Sequence, residues 1–109
     1  MPFVFRILKA GSFLTGTGQA AYTVGSGTTA NSAIVSNLRF YGGGAGGSTV
    51  DVNVKTSAGG TSVRIAHFSV LSTGVTTFNT ELTLAKDSVI ELDVTTNSVE
   101  CLICGVERV

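Results

Sequence analysis

The chain has 109 residues, which is the length of a single domain. Seven basic and seven acidic residues give a formal net charge of zero, so no charge excess favours binding to nucleic acid or to an anionic membrane. Charged residues make up 13% of the chain, roughly half of the usual share, and a small soluble protein with so few charges usually covers part of its surface with a partner.

The N-terminal sequence MPFVFRILKAGSF does not have the pattern of a signal peptide. Arg6 and Lys9 lie within its apolar run, where the apolar core of a signal peptide would not tolerate them. No segment of the chain approaches the ~20 apolar residues of a membrane-spanning helix. We therefore expect a protein that is made in the cytoplasm without a signal peptide.

The first predicted element is the strand PFVFRIL, which is apolar on both faces. A strand of this kind is usually buried on both faces, and a neighbouring subunit could cover the second face. We therefore predict an N-terminal strand or arm over residues 1–14 and a β-sandwich domain over residues 15–109. The predicted interface residues are Phe3, Phe5 and Ile7.

The rest of the chain shows period-two patterns that are separated by turn residues and recur every eight to twelve residues, as in an all-β sandwich or barrel. Alternation in each segment assigns its apolar positions to a common face. In chain order these positions are Tyr22 and Val24; Ile34, Leu38 and Phe40; Val50, Val52 and Val54; Phe78, Leu82 and Leu84; and Ile90, Leu92 and Val94.

The segment SVRIAHFSVL breaks this alternation. Val63 and Ile65 occupy odd-numbered positions, whereas Phe68 and Val70 occupy even-numbered positions, so a regular strand would place the two pairs on opposite faces. A β-bulge near Ala66–His67 would shift the strand by one residue and bring the two pairs into phase.

These patterns predict an all-β fold, a single-domain antiparallel β-sandwich of about eight short strands with no substantial helix. The connections are rich in glycine, serine, threonine and asparagine, which form turns readily. Periodicity does not specify strand order, so an immunoglobulin-like sandwich and a jelly roll both remain open.

Cys101 and Cys104 form a C-x-x-C motif within VECLICGV, which continues the strand pattern. On an extended backbone the two side chains point to opposite faces with Cα atoms roughly 10 Å apart, whereas a disulfide needs less than ~7 Å. A redox motif would begin a helix, and a zinc site would need two more ligands when His67 is the only histidine. We predict two buried structural thiols.

The run GGGAGG at residues 42–47 formally matches the G-x-G-x-x-G fingerprint of dinucleotide-binding proteins. That fingerprint must begin a helix, whose N-terminus receives the pyrophosphate. Here the strand TVDVNVK follows, so we predict a flexible hairpin-type loop.

Glu91 and Asp93 share one face of a strand, with Cα atoms ~6.6 Å apart. Paired catalytic carboxylates need unlike environments, so a solvated face is the better interpretation. His67 has no G-x-S-x-G partner motif, and we expect it at the surface or in an interface. The chain has no tryptophan for stacking against sugars or bases. We predict no catalytic, cofactor-binding or metal-binding residues, and no cofactor.

The stretch AAYTVGSGTTANSAIVSNLRFYGGGAGGSTVDVNVK resembles a module of small structural proteins of tailed bacteriophages. In that module an aromatic or aliphatic T-V-x-x-G-T-T segment, a strand and a glycine-rich turn lead into an alternating valine strand. The second half is similar as well, with LTLAKDSVIEL followed by the closing GVERV. The resemblance runs from about Ala20 to Val109.

The resemblance implies a jelly-roll-like, non-enzymatic virion protein, with a capsid decoration (cement) protein as the first expectation. Its expected partners are further copies of itself, with a trimer as the expected oligomer, and the major capsid protein or other virion proteins. Nucleic acid and membrane are not expected partners, and the expected location is the virion. The alternatives are a tail or neck component and a receptor- or glycan-binding β-sandwich module.

Overall fold

A computed structural model describes residues 3–13, 15–25, 29–42, 47–57, 59–71 and 74–109; the side chains of residues 3–6 lie outside this description. The described residues form eight strands and no helix, which confirms the predicted all-β fold. The strands are β1 (Phe3–Phe13), β2 (Gly16–Thr23), β3 (Ser32–Gly42), β4 (Ser48–Lys55), β5 (Val63–Val70), β6 (Val75–Ala85), β7 (Val89–Thr95) and β8 (Val99–Arg108).

The strands form two four-stranded antiparallel sheets. Sheet A has the order β1-β8-β3-β6, and sheet B has the order β2-β7-β4-β5. Strand β1 therefore pairs with β8, β2 with β7, β3 with β6, and β4 with β5. These four pairs are those of one long antiparallel hairpin that folds over into two layers. The additional pairings of β3 with β8 and of β4 with β7 complete the two sheets. The fold is thus a jelly-roll sandwich, and the question of strand order is answered.

The glycine-rich segment 42–47 joins β3 in sheet A to β4 in sheet B. It therefore crosses between the sheets, and the predicted hairpin-type connection is wrong. Residues 43–46 themselves lie outside the described residues.

The core lies between the inner faces of the two sheets, and strict alternation supplies most of it. Val50 and Val52 of β4 are fully buried, as are Ile90 and Leu92 of β7, and the assignment of these positions to the core is confirmed. Between the sheets, the Phe68 ring lies 5.6 Å from that of Phe40 and 5.4 Å from that of Phe78 (centroid distances).

Strand β3 departs from the predicted alternation. Its register with both neighbours shifts between Val35 and Asn37, so Ser36 interrupts the pairing. Because of this interruption Val35 is fully buried and Ile34 is 40% exposed on the outer face. The assignment of Ile34 to the core face with Leu38 and Phe40 is therefore wrong.

Strand β5 contains the predicted bulge. Ala66 pairs with Val52 and Arg64 pairs with Asn53, which leaves Ile65 as the extra residue. The irregularity lies one residue before the predicted position, and it returns Val63 to the face that carries Phe68.

Gly105 occupies the closest approach between β8 and β3. A Cβ atom added to Gly105 would lie 2.2 Å from the carbonyl oxygen of Ile34 and 3.0 Å from the Cα atom of Val35. Both are backbone atoms that cannot rotate away, so only glycine fits this position.

Strand β1 pairs with β8 of the same chain along its length, from Phe3 opposite Arg108 to Phe13 opposite Val99. Phe13 is buried in the core, whereas Ile7 is 59% exposed. The side chains of Phe3 and Phe5 lie outside the described residues. Contact of residues 1–14 with a neighbouring subunit therefore stays a prediction, as does the division at residue 15.

Candidate interaction surfaces

The outer face of sheet B is polar, and its side chains contact one another across the strands. Its polar members include Thr49, Asp51, Asn53 and Lys55 of β4, Arg64, His67 and Ser69 of β5, and Glu91 and Asp93 of β7, with Ser62 and Gly18 at the borders of the face.

Glu91 is nearly enclosed at the centre of this face, with 7% of its surface exposed. Its Oε2 atom lies 2.9 Å from Nζ of Lys55, and the Ser62 hydroxyl donates a hydrogen bond of 2.8 Å to Oε1. Lys55 holds the pKa of Glu91 below its usual range, against the opposing effect of burial. The prediction that Glu91 lies on a solvated face is therefore wrong.

Asp93 has its own set of donors. The backbone N–H of Gly18 donates to Oδ1 at 2.7 Å, and the Asn53 amide donates to Oδ2 at 3.0 Å. Each of the four carboxylate oxygens of Glu91 and Asp93 thus has a partner within the protein, which is the Lys55 ammonium group for one of them and a hydrogen-bond donor for the other three. The pair supports the sheet, and its geometry offers no free carboxyl oxygen to a substrate.

His67 is half-exposed and hydrogen-bonded through Nδ1 to Oδ1 of Asp51. Nη1 of Arg64 lies 3.7 Å from the same oxygen. No described hydroxyl is hydrogen-bonded to the imidazole, so the described residues contain no Ser-His-Asp arrangement. They also contain no cluster of three or more histidine, cysteine, aspartate or glutamate residues that could hold a metal ion.

The sandwich also contains a buried carboxylate that sequence reasoning missed. The Tyr22 hydroxyl in β2 donates a hydrogen bond of 2.5 Å to Oε2 of Glu107 in β8, which links sheet B to sheet A. Glu107 is 2% exposed. The alternation along β8 predicts this burial, because Glu107 lies an even number of residues from Cys101 and Ile103 and therefore faces the core with them.

The two cysteines are free thiols on opposite faces of β8, as predicted for an extended C-x-x-C. Cys101 lies in the core, and burial raises the pKa of its thiol to about 12, against a smaller lowering effect of Lys9. Cys104 is only half-buried on the outer face of sheet A. The prediction of two buried thiols is therefore confirmed for Cys101 alone.

The outer face of sheet A differs from that of sheet B. Cross-strand register places Ile7 beside Cys104, and Val106 beside Ile34. Apolar side chains form a band over all four strands, and they are Ile7, Ala10, Leu102, Cys104, Val106, Ile34, Tyr41 and Val75. The described side chains of this face include no lysine and no aspartate. Its charged members are Arg39, Glu81, Glu100 and Arg108.

A shallow groove of about 210 Å³ lies at one end of this apolar band. Ala33, Ile34 and Val106 give it an apolar lining, and Ser32, Thr83 and Arg108 supply polar groups. A groove of this size accommodates one large apolar side chain, and Arg108 adds a positive charge to its lining.

No family model matches this chain, and no curated protein is similar to it at a significant level. Among the described residues no helix is long and apolar enough to cross a membrane.

Proposed function

We propose that this protein is a non-enzymatic structural component of a bacteriophage virion, a decoration or cement protein that binds the assembled capsid. The observation that carries the proposal is the difference between its two outer faces. On sheet B the charged groups bind one another, whereas on sheet A apolar side chains are left exposed across four strands.

The outer face of sheet A has the composition of a protein-binding surface. Interface centres are depleted in lysine and aspartate and enriched in aromatic residues and arginine. This face carries Tyr41 within its apolar band and Arg39 on the same strand, and the groove beside Ile34 can receive a side chain from the capsid. Sheet A therefore binds the shell, and the polar face of sheet B stays in solvent.

The mechanism is thermodynamic linkage and requires no chemistry from the protein. A protein that binds only the assembled shell stabilises it by RT ln(1 + [L]/Kd), which is about 2.7 kcal/mol at a free concentration one hundred times Kd. Several weak contacts to adjacent capsid subunits add stabilisation, because each contact raises the effective concentration for the next.

The test introduces one negative charge on either outer face. Tagged wild type, Ile34→Glu (sheet A) and Ser69→Glu (sheet B) are produced in cells that assemble the virus, and the particles are separated on a density gradient. We expect the wild type and Ser69→Glu to sediment with filled heads and Ile34→Glu to stay in the unassembled fraction. Both replaced residues are at the surface, so loss of folding is not expected.

Immunogold labelling of the same particles distinguishes the virion locations. Label over the head supports a decoration protein, whereas label confined to the tail or neck assigns the protein to those parts and overturns the capsid proposal. Absence of the wild type from all particles, together with selective binding to a glycan array, would identify a glycan-binding module instead.

A further inference from the structure

The outer face of sheet A is arranged in five rows that run across its strands, as the cross-strand register shows. In order along β8, the described members of these rows are Arg108, Ser32 and Ala85; Val106, Ile34 and Thr83; Cys104, Ile7, Asn37 and Asn79; Leu102, Ala10, Arg39 and Thr77; and Glu100, Ser12, Tyr41 and Val75. Glu81 lies on β6 between the second and third rows. The two arginines and the two glutamates of this face therefore lie at separate places on it.

We propose that this face binds the same face of a second copy of the chain, about a two-fold axis that crosses the strands at the row of Cys104. Such an axis turns the second copy over and reverses the order of its rows, while each strand lies over its own counterpart. The first row then faces the last, the second row faces the fourth, and the row of Cys104 faces itself. The strands of the two packed sheets stay aligned to within about 30°, as in β-sandwiches.

The charges of the face are complementary in this arrangement. Arg108 of each copy lies opposite Glu100 of the other, so the two-fold axis generates this ion pair twice. Arg39 of each copy lies over the second row of the other, beside the position of Glu81 on the neighbouring strand. Each of the four charged groups thus meets an opposite charge on the second copy.

A two-fold axis parallel to the strands does not provide these pairs. Such an axis keeps every row opposite itself. Among the described residues, the row of Arg108 contains no acidic side chain and the row of Glu100 contains no basic one. The charges therefore favour the axis that crosses the strands.

The shape of the face is also complementary to itself. Tyr41, which is 41% exposed, lies opposite Ser32 of the other copy, and Ser32 is part of the lining of the 210 Å³ groove. The groove accommodates one large side chain, so each copy can insert its Tyr41 into the groove of the other. Between these contacts, Val106 lies opposite Leu102, which buries apolar groups against one another.

The size of the face predicts a weak dimer. Four strands about 4.8 Å apart and five rows about 6.7 Å apart cover a flat area of roughly 600 Å² on each copy. The total of about 1,200 Å² is at the lower limit for specific interfaces. The second copy therefore covers the apolar face in the free protein and separates when the shell binds there. The dimer does not rest on the proposed function, because it forms without a shell.

The test is the solution mass of the full chain, measured by light scattering over a dilution series without any virion protein. We expect the wild type to be in equilibrium between monomer and dimer. Glu100→Arg and Arg108→Glu should each dimerise at least about tenfold more weakly, because each brings like charges together twice. The double variant Glu100→Arg/Arg108→Glu should regain the wild-type association. Lys86→Glu makes the same charge change as Arg108→Glu at an exposed turn and should leave the association unchanged.

Recovery in the double variant can come only from a second chain. Glu100 and Arg108 lie near opposite ends of β8, eight positions and therefore roughly 26 Å apart, so they do not meet within one copy. Thermal unfolding of each variant confirms that it is folded. Failure of the double variant to recover would overturn the proposed axis.

Iodoacetamide gives a second readout, because Cys104 lies on the axis. In the Cys101→Ser variant, modification of Cys104 should slow as the protein concentration rises, and the added Glu100→Arg change should remove this slowing. A wild type that is monomeric at all concentrations, or one that forms a trimer, would overturn the proposal. Since no virion protein is used, such a result would leave the capsid proposal to its own test.

Discussion

The outer faces of the two sheets differ in how their polar groups are used. On sheet B, Glu91 and Asp93 each accept two contacts from donors on other parts of the chain. On sheet A, Ile7 and Val75 remain more than half exposed, and apolar residues extend over all four strands. The inner faces are nevertheless alike, since both supply fully buried aliphatic side chains to one core.

This difference indicates that the two faces serve different purposes. A polar face whose groups are mutually satisfied gains little from a partner, because binding would first break those contacts. An apolar face gains by leaving water, at roughly 25 cal/mol for each Å² that is buried. Substitutions on the outer face of sheet B should therefore change folding stability, whereas those on the outer face of sheet A should change binding.

The largest expected effect concerns the interior of sheet A, where β3 and β8 approach most closely. Gly105→Ala should lower the free energy of unfolding by about 3 kcal/mol or more, because the added methyl group meets backbone atoms of Ile34 and Val35. Gly59→Ala is the matched control, since no atom lies within 4 Å of its added Cβ. Urea unfolding of both variants measures the difference, and equal midpoints would contradict the close approach of the two strands.

The next largest expected effect is a difference in folding stability between two asparagine substitutions, one on each outer face. Asn53→Ala on sheet B should cost about 1.5 kcal/mol, because it removes the amide that donates to Oδ2 of Asp93 in a buried position. Asn79→Ala on sheet A replaces an exposed residue of β6 and should change stability by less than about 0.5 kcal/mol. Similar losses at both positions, measured by denaturant unfolding, would remove the proposed difference between the faces.

The fold was predictable from the sequence where one face of a strand is buried and the other is not. Val50 and Val52, like Ile90 and Leu92, are separated by a polar residue, so the sequence leaves one choice for the positions that face the core. In β3 the interruption at Ser36 has no sequence signal, because Ile34 and Val35 are both apolar and either could be the buried one. Burial was therefore assigned to the wrong residue of the two.

The environment of Glu91 could not be predicted from periodicity. Alternation places Glu91 on the outer face, but its partners Lys55 and Ser62 come from β4 and from the connection before β5. Which strands lie beside β7 depends on the order of the sheet, which the sequence pattern leaves open. The contact between Tyr22 and Glu107 could not be predicted for the same reason, because the two residues are 85 positions apart and only the strand order brings them together.

A further prediction uses acid to separate the two faces. Because the pKa of Glu91 is lower in the folded protein than its ordinary value of 4.5, the stability that this carboxylate contributes is complete above that value. It is lost as the pH falls through the lower, folded-state pKa. Lys55→Met removes the main cause of the lowered pKa, so this variant should lose less stability on acidification than the wild type does.

Lys86→Met is the control for this experiment, since Lys86 is an exposed lysine in the turn between β6 and β7. Its acid dependence should follow that of the wild type. Denaturant midpoints measured at intervals between neutral pH and pH values below 4.5 give the comparison. Parallel curves for Lys55→Met and the wild type would mean that Glu91 is not stabilised by its lysine.

The smallest effect contrasts the inner and outer faces of β8 and involves no change in stability. Cys101 lies in the core with a thiol pKa of about 12, so almost none of it is the reactive thiolate near pH 8. Cys104 is half-buried on the outer face of sheet A. In native protein, iodoacetamide should therefore modify the Cys101→Ser variant, through Cys104, faster than the Cys104→Ser variant.

Unfolding in urea should make the two rates similar, which shows that burial and not the local sequence causes the difference. Equal native rates would place both thiols in similar surroundings and contradict the assignment of Cys101 to the core.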